Sequence, residues 1–122
     1  MAGDPSAGLP FRESVRAGDT VYVAGQIGLD PQTRKPPEDL REEARLVMER
    51  VRGVLQRQGM TMADLTMVTV HAPNVESDYA AFNDVYVTFF DGPYPARAFL
   101  GSGPLLFGAR FEVTAIAGRA RQ

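Results

Sequence analysis

Two apolar, β-prone runs near the C-terminus constrain the fold more than any other feature of the sequence. The first covers Tyr94–Leu100 and the second covers Ala109–Ala117, with a connection rich in Gly and Pro between them. Such runs on either side of turn-forming residues are typical of strands, and the short spacing predicts an antiparallel pair. Arg97 stands in the first run and Glu112 in the second.

The charges on these two runs suggest a small acidic metabolite as ligand. A guanidinium on a rigid strand can bind a carboxylate through two parallel hydrogen bonds, as Arg97 could. A carboxylate on the neighbouring strand, such as Glu112, could orient or deprotonate a water molecule beside the bound anion. Two other interpretations remain open, a structural ion pair between the two residues or two unrelated surface charges. Spacing alone favours these structural interpretations.

Composition narrows the classes of function. A chain of 122 residues with 44% hydrophobic content fits one globular domain. The net charge of −2 and the scattered basic residues predict no nucleic-acid partner. The absence of cysteine excludes disulfides, thiolate metal sites and a cysteine nucleophile, and a single histidine argues against zinc. No run has transmembrane length and no signal peptide is evident, so we expect a soluble cytoplasmic protein without a membrane partner.

The first half of the chain predicts a tail, a hairpin and a long helix. Residues 1–10 are small and polar, which is typical of a flexible tail, and residues 11–122 form the predicted domain. A turn at residues 17–19 separates two strands of a hairpin. A helix is predicted from Glu38 to Gln58, because apolar residues recur every three or four positions. Asp39 with Glu42 resembles a capping box, and Gly59 ends the helix.

The second half predicts a strand from Thr66 to Ala72 and a second helix that begins near Ser77 or Asp78. Alternation along the strands separates two faces of a sheet. The apolar face, suited to helix packing, contains Val21, Val23, Ile27, Val68, Val70, Phe111, Val113 and Ala115. The opposite face contains Tyr22, Gln26, Met67, Thr69, His71, Glu112, Thr114 and Ile116. This second set is too apolar for water and too polar for a dry core, which favours a wet subunit interface.

The C-terminal runs also resemble a known signature. Pro95-Ala96-Arg97, an interval of fifteen residues to Glu112, and Ala115-Ile116-Ala117 are similar to the end of the RidA (YjgF) family, also called endoribonuclease L-PSP or translation inhibitor. Val21–Gly28 resembles the family's early strand, and the likeness extends over nearly the whole chain after residue 10. It implies a chorismate-mutase-like α+β fold: a mixed sheet of about six strands with two helices on one face. It also implies a homotrimer with ligand clefts between subunits.

The resemblance assigns expected roles to individual residues. Arg97 would clamp the carboxylate of the substrate, and Glu112 would position the attacking water. Phe11 would close the pocket, Gly25 would leave room for the ligand, Asn83 would lie near the cleft, and the backbone amide of Phe99 would meet the ligand. No metal and no organic cofactor is implied, because an imine is already electrophilic.

The activity implied by the resemblance is hydrolysis of reactive 2-imino or 2-enamino acids to 2-oxo acids and ammonia. Departures from the family pattern at Ala98, Phe99, Leu106 and Thr114 leave the substrate open. One alternative is a diverged enzyme that acts on another small carboxylate in a degradative or biosynthetic pathway. The other is a non-catalytic trimer that binds metabolites or acts like a chaperone.

Overall fold

A computed structural model describes residues 5–119 of the chain. Within this range the chain forms five strands and two α-helices, joined by short 3₁₀ turns. In chain order these are β1 (Ser14–Ala17), β2 (Thr20–Ile27), α1 (Leu40–Arg57), β3 (Leu65–Ala72), α2 (Val75–Tyr86), β4 (Ala96–Gly101) and β5 (Glu112–Gly118). The prediction of an α+β fold with two helices is confirmed, with five strands rather than about six.

The five strands form one mixed sheet in the order β1-β2-β5-β3-β4. β3 and β4 are parallel, while the other neighbouring pairs are antiparallel. The predicted antiparallel pairing of the two C-terminal runs is therefore wrong, because β3 lies between β4 and β5. The helix α2 explains the difference, since a helical crossover returns the chain in its original direction and places β4 parallel to β3.

Both helices begin close to the positions that the sequence predicts. The Asp39 side chain accepts a hydrogen bond of 3.0 Å from the Arg41 amide and caps α1. The predicted capping box does not form as such, because the Glu42 carboxylate binds Arg45 instead. α2 starts at Val75 with Asn74 as its N-cap residue, two to three residues before the predicted start.

The hydrophobic core lies between the helices and one face of the sheet. The apolar stripe of α1 is fully buried there, together with alternate residues of the central strands and aromatic residues of α2. Members exposed by 1% or less include Ala44, Val47, Met48, Val51, Val54, Leu55, Val68, Val70, Phe82, Phe111 and Val113. The apolar face that the sequence predicts is therefore confirmed for these strand residues.

A β-bulge in β2 changes the alternation. Val23 lies opposite Ala115, but Gln26 lies opposite Val113 and Ile27 opposite Glu112, so β2 uses one more residue than β5 over this stretch. An extra residue reverses the face of everything that follows it. The predicted faces of Gln26 and Ile27 are therefore wrong. Gln26 turns to the helix side and lines a groove against α1, while Ile27 joins the opposite face.

The opposite face of the sheet is not covered by any element within residues 5–119. Its cross-strand rows contain Val15, Tyr22, Ile116, Met67 and Ala96, then Thr114, Thr69 and Ala98, then Ile27, Glu112, His71 and Leu100. Tyr22 and Leu100 are about half exposed. We call this surface the open face. Its mixed polarity agrees with the sequence-based expectation.

The N-terminal segment is held close to the domain where the structure describes it. The predicted tail, residues 1–10, begins with residues 1–4, which lie outside the described range. Ser6 is buried, and its hydroxyl accepts a hydrogen bond of 2.8 Å from the Glu13 amide. The Glu13 carbonyl in turn accepts from the Ala24 amide at the bulge. This segment is therefore connected to the middle of β2.

Candidate functional site

Arg97 lies on the helix side of the sheet. Its neighbour on β3 is Val68, which is fully buried, and paired residues of adjacent strands point to the same face. The side chain leaves the edge strand β4 beneath α2. Its guanidinium carbon is 4.6 Å from the centre of the Tyr86 ring, 5.2 Å from that of Phe99 and 5.7 Å from that of Tyr79. Three aromatic rings therefore surround the cation.

This environment orients the charge of Arg97 without neutralising it. Among the described residues, no carboxylate lies within ion-pair distance of Arg97. Within residues 5–119, its one hydrogen bond to a side chain is a long contact of 3.5 Å from Nη2 to the Tyr79 hydroxyl. Cation–π contacts contribute roughly 0.5–2 kcal/mol each and hold a guanidinium over ring faces. The donors of Arg97 remain available for an anion.

The two tyrosines beside Arg97 differ in their electrostatics. The neighbouring Asn83 amide and the Arg97 charge lower the pKa of Tyr79, which is exposed. Burial raises the pKa of Tyr86, although the Arg97 charge opposes this effect. The Tyr86 hydroxyl is buried without a hydrogen-bond partner among the described residues. This is an energetically costly position for a hydroxyl, and a ligand could relieve it.

A cavity of about 340 Å³ opens beside the guanidinium. Its lining consists of Asn83, Tyr86, Val87, Tyr94, Pro95 and Arg97. Asn83 and Arg97 both approach the Tyr79 hydroxyl, so the polar groups meet at one part of the cavity. The remaining lining is apolar or aromatic. The arrangement can hold an anion at its polar part and an apolar group elsewhere.

Glu112 lies on the other side of the sheet, on the open face. It follows the fully buried Phe111 and precedes the fully buried Val113, so alternation turns it away from the core. Its cross-strand neighbours are Ile27 and His71. Its carboxylate is partly exposed and makes no hydrogen bond or ion pair with any residue between 5 and 119.

Gly25 explains how the Glu112 side chain fits. A Cβ atom at Gly25 would lie 2.1 Å from Glu112 Oε2, which is far inside contact distance. Gly25 belongs to the bulge of β2, where the backbone passes directly under the carboxylate. The glycine therefore leaves the space that the carboxylate occupies, which is one reason for a glycine within a strand.

Within one protomer, Arg97 and Glu112 do not face each other. They lie on opposite faces of the sheet and on strands separated by β3. The structural ion pair considered from the sequence is excluded by this arrangement, and so is a water position shared by both residues on adjacent strands. The predicted site residues instead form two separate groups, which we call candidate half-sites. One contains Arg97 with Asn83 and the aromatic rings, and the other contains Glu112 with Gly25.

The two remaining predicted site residues are divided between the half-sites. Phe11 is 55% exposed and lies two residues before Glu13, whose carbonyl binds the bulge next to Gly25. The side chain of Phe99 packs edge-on against Phe82 and Tyr79, below the guanidinium of Arg97. The Ser102 amide donates to the Ala72 carbonyl on β3. Because amide directions alternate along a strand, the Phe99 amide points to the outer edge of the sheet.

Sequence reasoning missed the polar side chains that support these positions. Tyr79 and Tyr86 are not among the site residues predicted from the sequence, yet both contact Arg97. Their spacing from Asn83, four residues before and three after, places all three on one side of α2 and could have indicated a shared site. Arg110, which binds the fully buried Glu43, was also missed.

Residues 5–119 contain neither a candidate metal site nor a helix that could span a membrane. No group of three or more His, Cys, Asp or Glu side chains is arranged to hold a metal ion. No helix there combines the length and apolar character needed to cross a bilayer.

The chain is similar in structure to several solved proteins and in sequence to one protein family. Solved structures with the same fold include RidA from Psychrobacter sp. PAMC 21119, 31% identical with a TM-score of 0.85 over 95% of this chain and 94% of that one. Another is TdcF of Escherichia coli with bound serine, 33% identical with a TM-score of 0.87 over 96% of this chain and 94% of that one. The model of the endoribonuclease L-PSP family matches residues 1–118. The chain belongs to this family, the RidA/YjgF family.

Some of the similar proteins are named for an imine deaminase activity. The 2-iminobutanoate/2-iminopropanoate deaminase of Dermatophagoides farinae is 34% identical over 108 residues, which is 88% of this chain and 84% of the relative. The protein of the same name from Mus musculus is 32% identical over 114 residues, 93% of this chain and 84% of the relative. The chain therefore aligns with most of the length of these deaminases.

Proposed function

We propose that the protein hydrolyses reactive 2-imino and 2-enamino acids to 2-oxo acids and ammonia. The single observation that carries this proposal is the Arg97 guanidinium, which lines a cavity, is held by aromatic rings and has no carboxylate partner among the described residues. Membership in the RidA/YjgF family and the names of the relatives support the same reaction class. TdcF with bound serine is a related protein that holds a small amino acid.

Arg97 would bind the carboxylate of the substrate. Two parallel N–H···O bonds from one guanidinium fit the two oxygens of a carboxylate, and each charge-assisted bond contributes on the order of 1.5–3 kcal/mol. The outward-facing amide of Phe99 could donate a further bond at the same edge. The Asn83 side chain adds a polar group beside the cation. These contacts would fix the orientation of the imine carbon.

The second half of the site would come from another copy of the chain. Glu112 and Arg97 lie on opposite faces, so one protomer alone does not bring them to the same ligand. The open face, with Tyr22, Leu100 and Ile116, is apolar enough to favour association. A contact between two different surfaces closes into a ring when the rotation permits it. We infer a homotrimer whose clefts join the Arg97 half-site of one protomer to the Glu112 half-site of the next.

The proposed reaction begins when the Glu112 carboxylate accepts a proton from a water molecule. The water oxygen forms a bond to the imine carbon, and the C=N electron pair moves to nitrogen, which is protonated. In the resulting amino alcohol, the hydroxyl proton passes to the nitrogen, the C–N bond breaks to release ammonia, and the C=O bond of the 2-oxo acid forms. Acid–base assistance of this kind contributes roughly 10²–10⁴-fold to a rate. An enamine would first tautomerise to the imine.

A direct test measures the decay of an imine generated in the cuvette from alanine or 2-aminobutanoate by an amino-acid oxidase. Wild-type protein should accelerate hydrolysis, while Glu112→Gln should lose roughly 10²–10⁴ of that acceleration. Glu76→Gln, an exposed glutamate in the first turn of α2, is the matched control and should behave like wild type. No acceleration by an assembled wild-type protein would overturn the proposal.

A further inference from the structure

The cavity beside Arg97 is larger than a three-carbon acid requires. Pockets that enclose drug-sized ligands have volumes of roughly 300–1,000 Å³, and this cavity of about 340 Å³ falls within that range. We propose that it receives the substrate's side chain, so that the enzyme prefers 2-imino acids with large apolar or aromatic side chains. This inference rests on the proposed function and specifies its substrate class.

The distribution of polar groups in the cavity supports this orientation. The carboxylate-binding Arg97 and the amide of Asn83 lie together, as their shared approach to the Tyr79 hydroxyl shows. Val87 follows Asn83 by four residues, about one helical turn, and begins the 3₁₀ turn that follows α2. Pro95 and Tyr94 also line the cavity, from the segment that leads into β4. A bound acid with its carboxylate on Arg97 would therefore meet apolar lining from two segments of the chain.

The aromatic wall of this cavity is already formed in the protein. The ring of Tyr86 is 4.9 Å from that of Phe90 and 6.5 Å from that of Tyr94, with Phe90 and Tyr94 5.7 Å apart. Mutual packing holds these rings in place before a ligand arrives. Tyr94 is nevertheless 59% exposed and Val87 is 45% exposed. An apolar side chain laid against them would remove this surface from water.

The expected effect on specificity follows from the burial of apolar surface. Each methylene that leaves water contributes about a fourfold gain in binding. The aromatic side chains of the cavity are already packed in place, so binding does not have to order them. Less of the gain is therefore lost to conformational entropy. The kcat/KM for an imino acid with a benzyl or isobutyl side chain should therefore exceed that for the methyl compound by about tenfold or more.

The test compares imines generated by an amino-acid oxidase from alanine, 2-aminobutanoate, leucine and phenylalanine. Wild-type kcat/KM should rise along this series. Val87→Trp would fill part of the cavity and should lower the ratio of the phenylalanine-derived to the alanine-derived value at least tenfold. Ala80→Trp adds the same bulk to an exposed position of α2 that does not line the cavity, and should leave the ratio unchanged.

Two outcomes separate this inference from the proposed function. Hydrolysis that is fastest for the alanine-derived imine, with a ratio unaffected by Val87→Trp, overturns the inference and leaves the deaminase activity intact. If no imine is hydrolysed, the proposed deaminase activity is wrong. The binding of 2-oxo acids, measured by calorimetry, then tests whether the cavity receives an apolar side chain. Phenylpyruvate binding at least tenfold tighter than pyruvate, and weakened by Val87→Trp, supports the assignment. Equal or absent binding overturns it.

Discussion

The Arg110–Glu43 pair differs from the Arg97 and Glu112 side chains in geometry, burial and partners. Arg110 and Glu43 bind each other: Nε and the backbone amide of Arg110 each lie 2.7 Å from one oxygen of the fully buried Glu43 carboxylate. The same guanidinium also donates to the carbonyls of Pro37 and Glu38. Arg97 and Glu112 instead lie on opposite faces of the sheet, and neither has a charged partner among the described residues.

The difference distinguishes a structural pair from candidate functional groups. Arg110 donates its hydrogen bonds to the Glu43 carboxylate and to the two backbone carbonyls just before α1. These bonds attach the start of α1 to the chain just before β5. A ligand could not bind there without breaking these bonds. Arg97 is oriented by aromatic faces, which leave its hydrogen-bond donors free. A guanidinium that is held in place but not neutralised is what an anion-binding site requires.

The largest effect expected is on activity when the Arg97 side chain is removed. Arg97→Ala would lose two charge-assisted hydrogen bonds to the substrate, which corresponds to a decrease of roughly 10²–10⁴-fold in kcat/KM. The free energy of unfolding should fall by about 1–2 kcal/mol, because the aromatic contacts of the guanidinium are lost but no ion pair is broken. Steady-state kinetics and urea unfolding check the two expectations. If Arg97→Ala strongly lowers the free energy of unfolding but keeps the wild-type kcat/KM, Arg97 has a structural role instead.

Arg110→Ala should have the reverse effect. Its removal leaves the Glu43 carboxylate buried without its counter-charge, which typically costs about 3–5 kcal/mol of unfolding free energy. Arg45→Ala serves as control, because its partner Glu42 is 41% exposed and such surface pairs contribute less than about 1 kcal/mol. Chemical denaturation of both variants gives the comparison. Equal losses of unfolding free energy in the two variants would mean that the buried pair stabilises the fold no more than the surface pair does.

Gly25→Ala is expected to have an intermediate effect, confined to activity. The new methyl group would meet Glu112 Oε2 at 2.1 Å and would displace the carboxylate. Displacement of a catalytic group by about 1 Å can lower a rate by about 10²-fold. Gly53→Ala is the control. Its Cβ atom would meet only the Arg57 guanidinium, at 3.7 and 3.8 Å, which are ordinary van der Waals distances. Unaltered activity of Gly25→Ala would remove Glu112 from the mechanism.

The smallest effect concerns the aromatic surroundings of Arg97. Tyr86→Phe removes a buried hydroxyl that lacks a partner, so the unliganded protein should keep its stability or gain about 1 kcal/mol. Thermal unfolding of the purified variant measures this change. A loss of more than about 1 kcal/mol would show that the hydroxyl is hydrogen-bonded in solution, and that this side of Arg97 is more polar than its contacts indicate.

The sequence predicted the elements of the fold better than their arrangement. The stripe of α1 and its Asp39 cap follow from local periodicity and local hydrogen bonding, so they can be read from nearby residues. The insertion of β5 between β2 and β3 depends on pairing between distant segments, which local patterns do not encode. The bulge at Gly25 likewise reverses Gln26 and Ile27 through a register that only the partner strand defines.

The candidate site was predicted in its residues but not in its geometry. The spacing from Arg97 to Glu112 gives the two charged groups and, through the family resemblance, their expected roles. The spacing does not show on which face of the sheet each side chain lies. That depends on how β4 and β5 each pair with β3, which lies between them. The Arg110–Glu43 pair left no local signal, since its members are 67 residues apart. Tyr86 is buried in the core, and its contact with Arg97 depends on the packing of α2 on β4, which local sequence patterns do not show.

Subunit complementation tests the central claim most directly, namely that one site combines Arg97 of one protomer with Glu112 of another. Arg97→Ala and Glu112→Gln chains are co-expressed with different tags, and mixed assemblies are isolated through both tags. In a head-to-tail trimer that contains both kinds of chain, about one cleft in three would contain both intact residues, and roughly one third of wild-type activity should return. Mixed assemblies of confirmed composition that stay as inactive as the two parents would contradict the shared site.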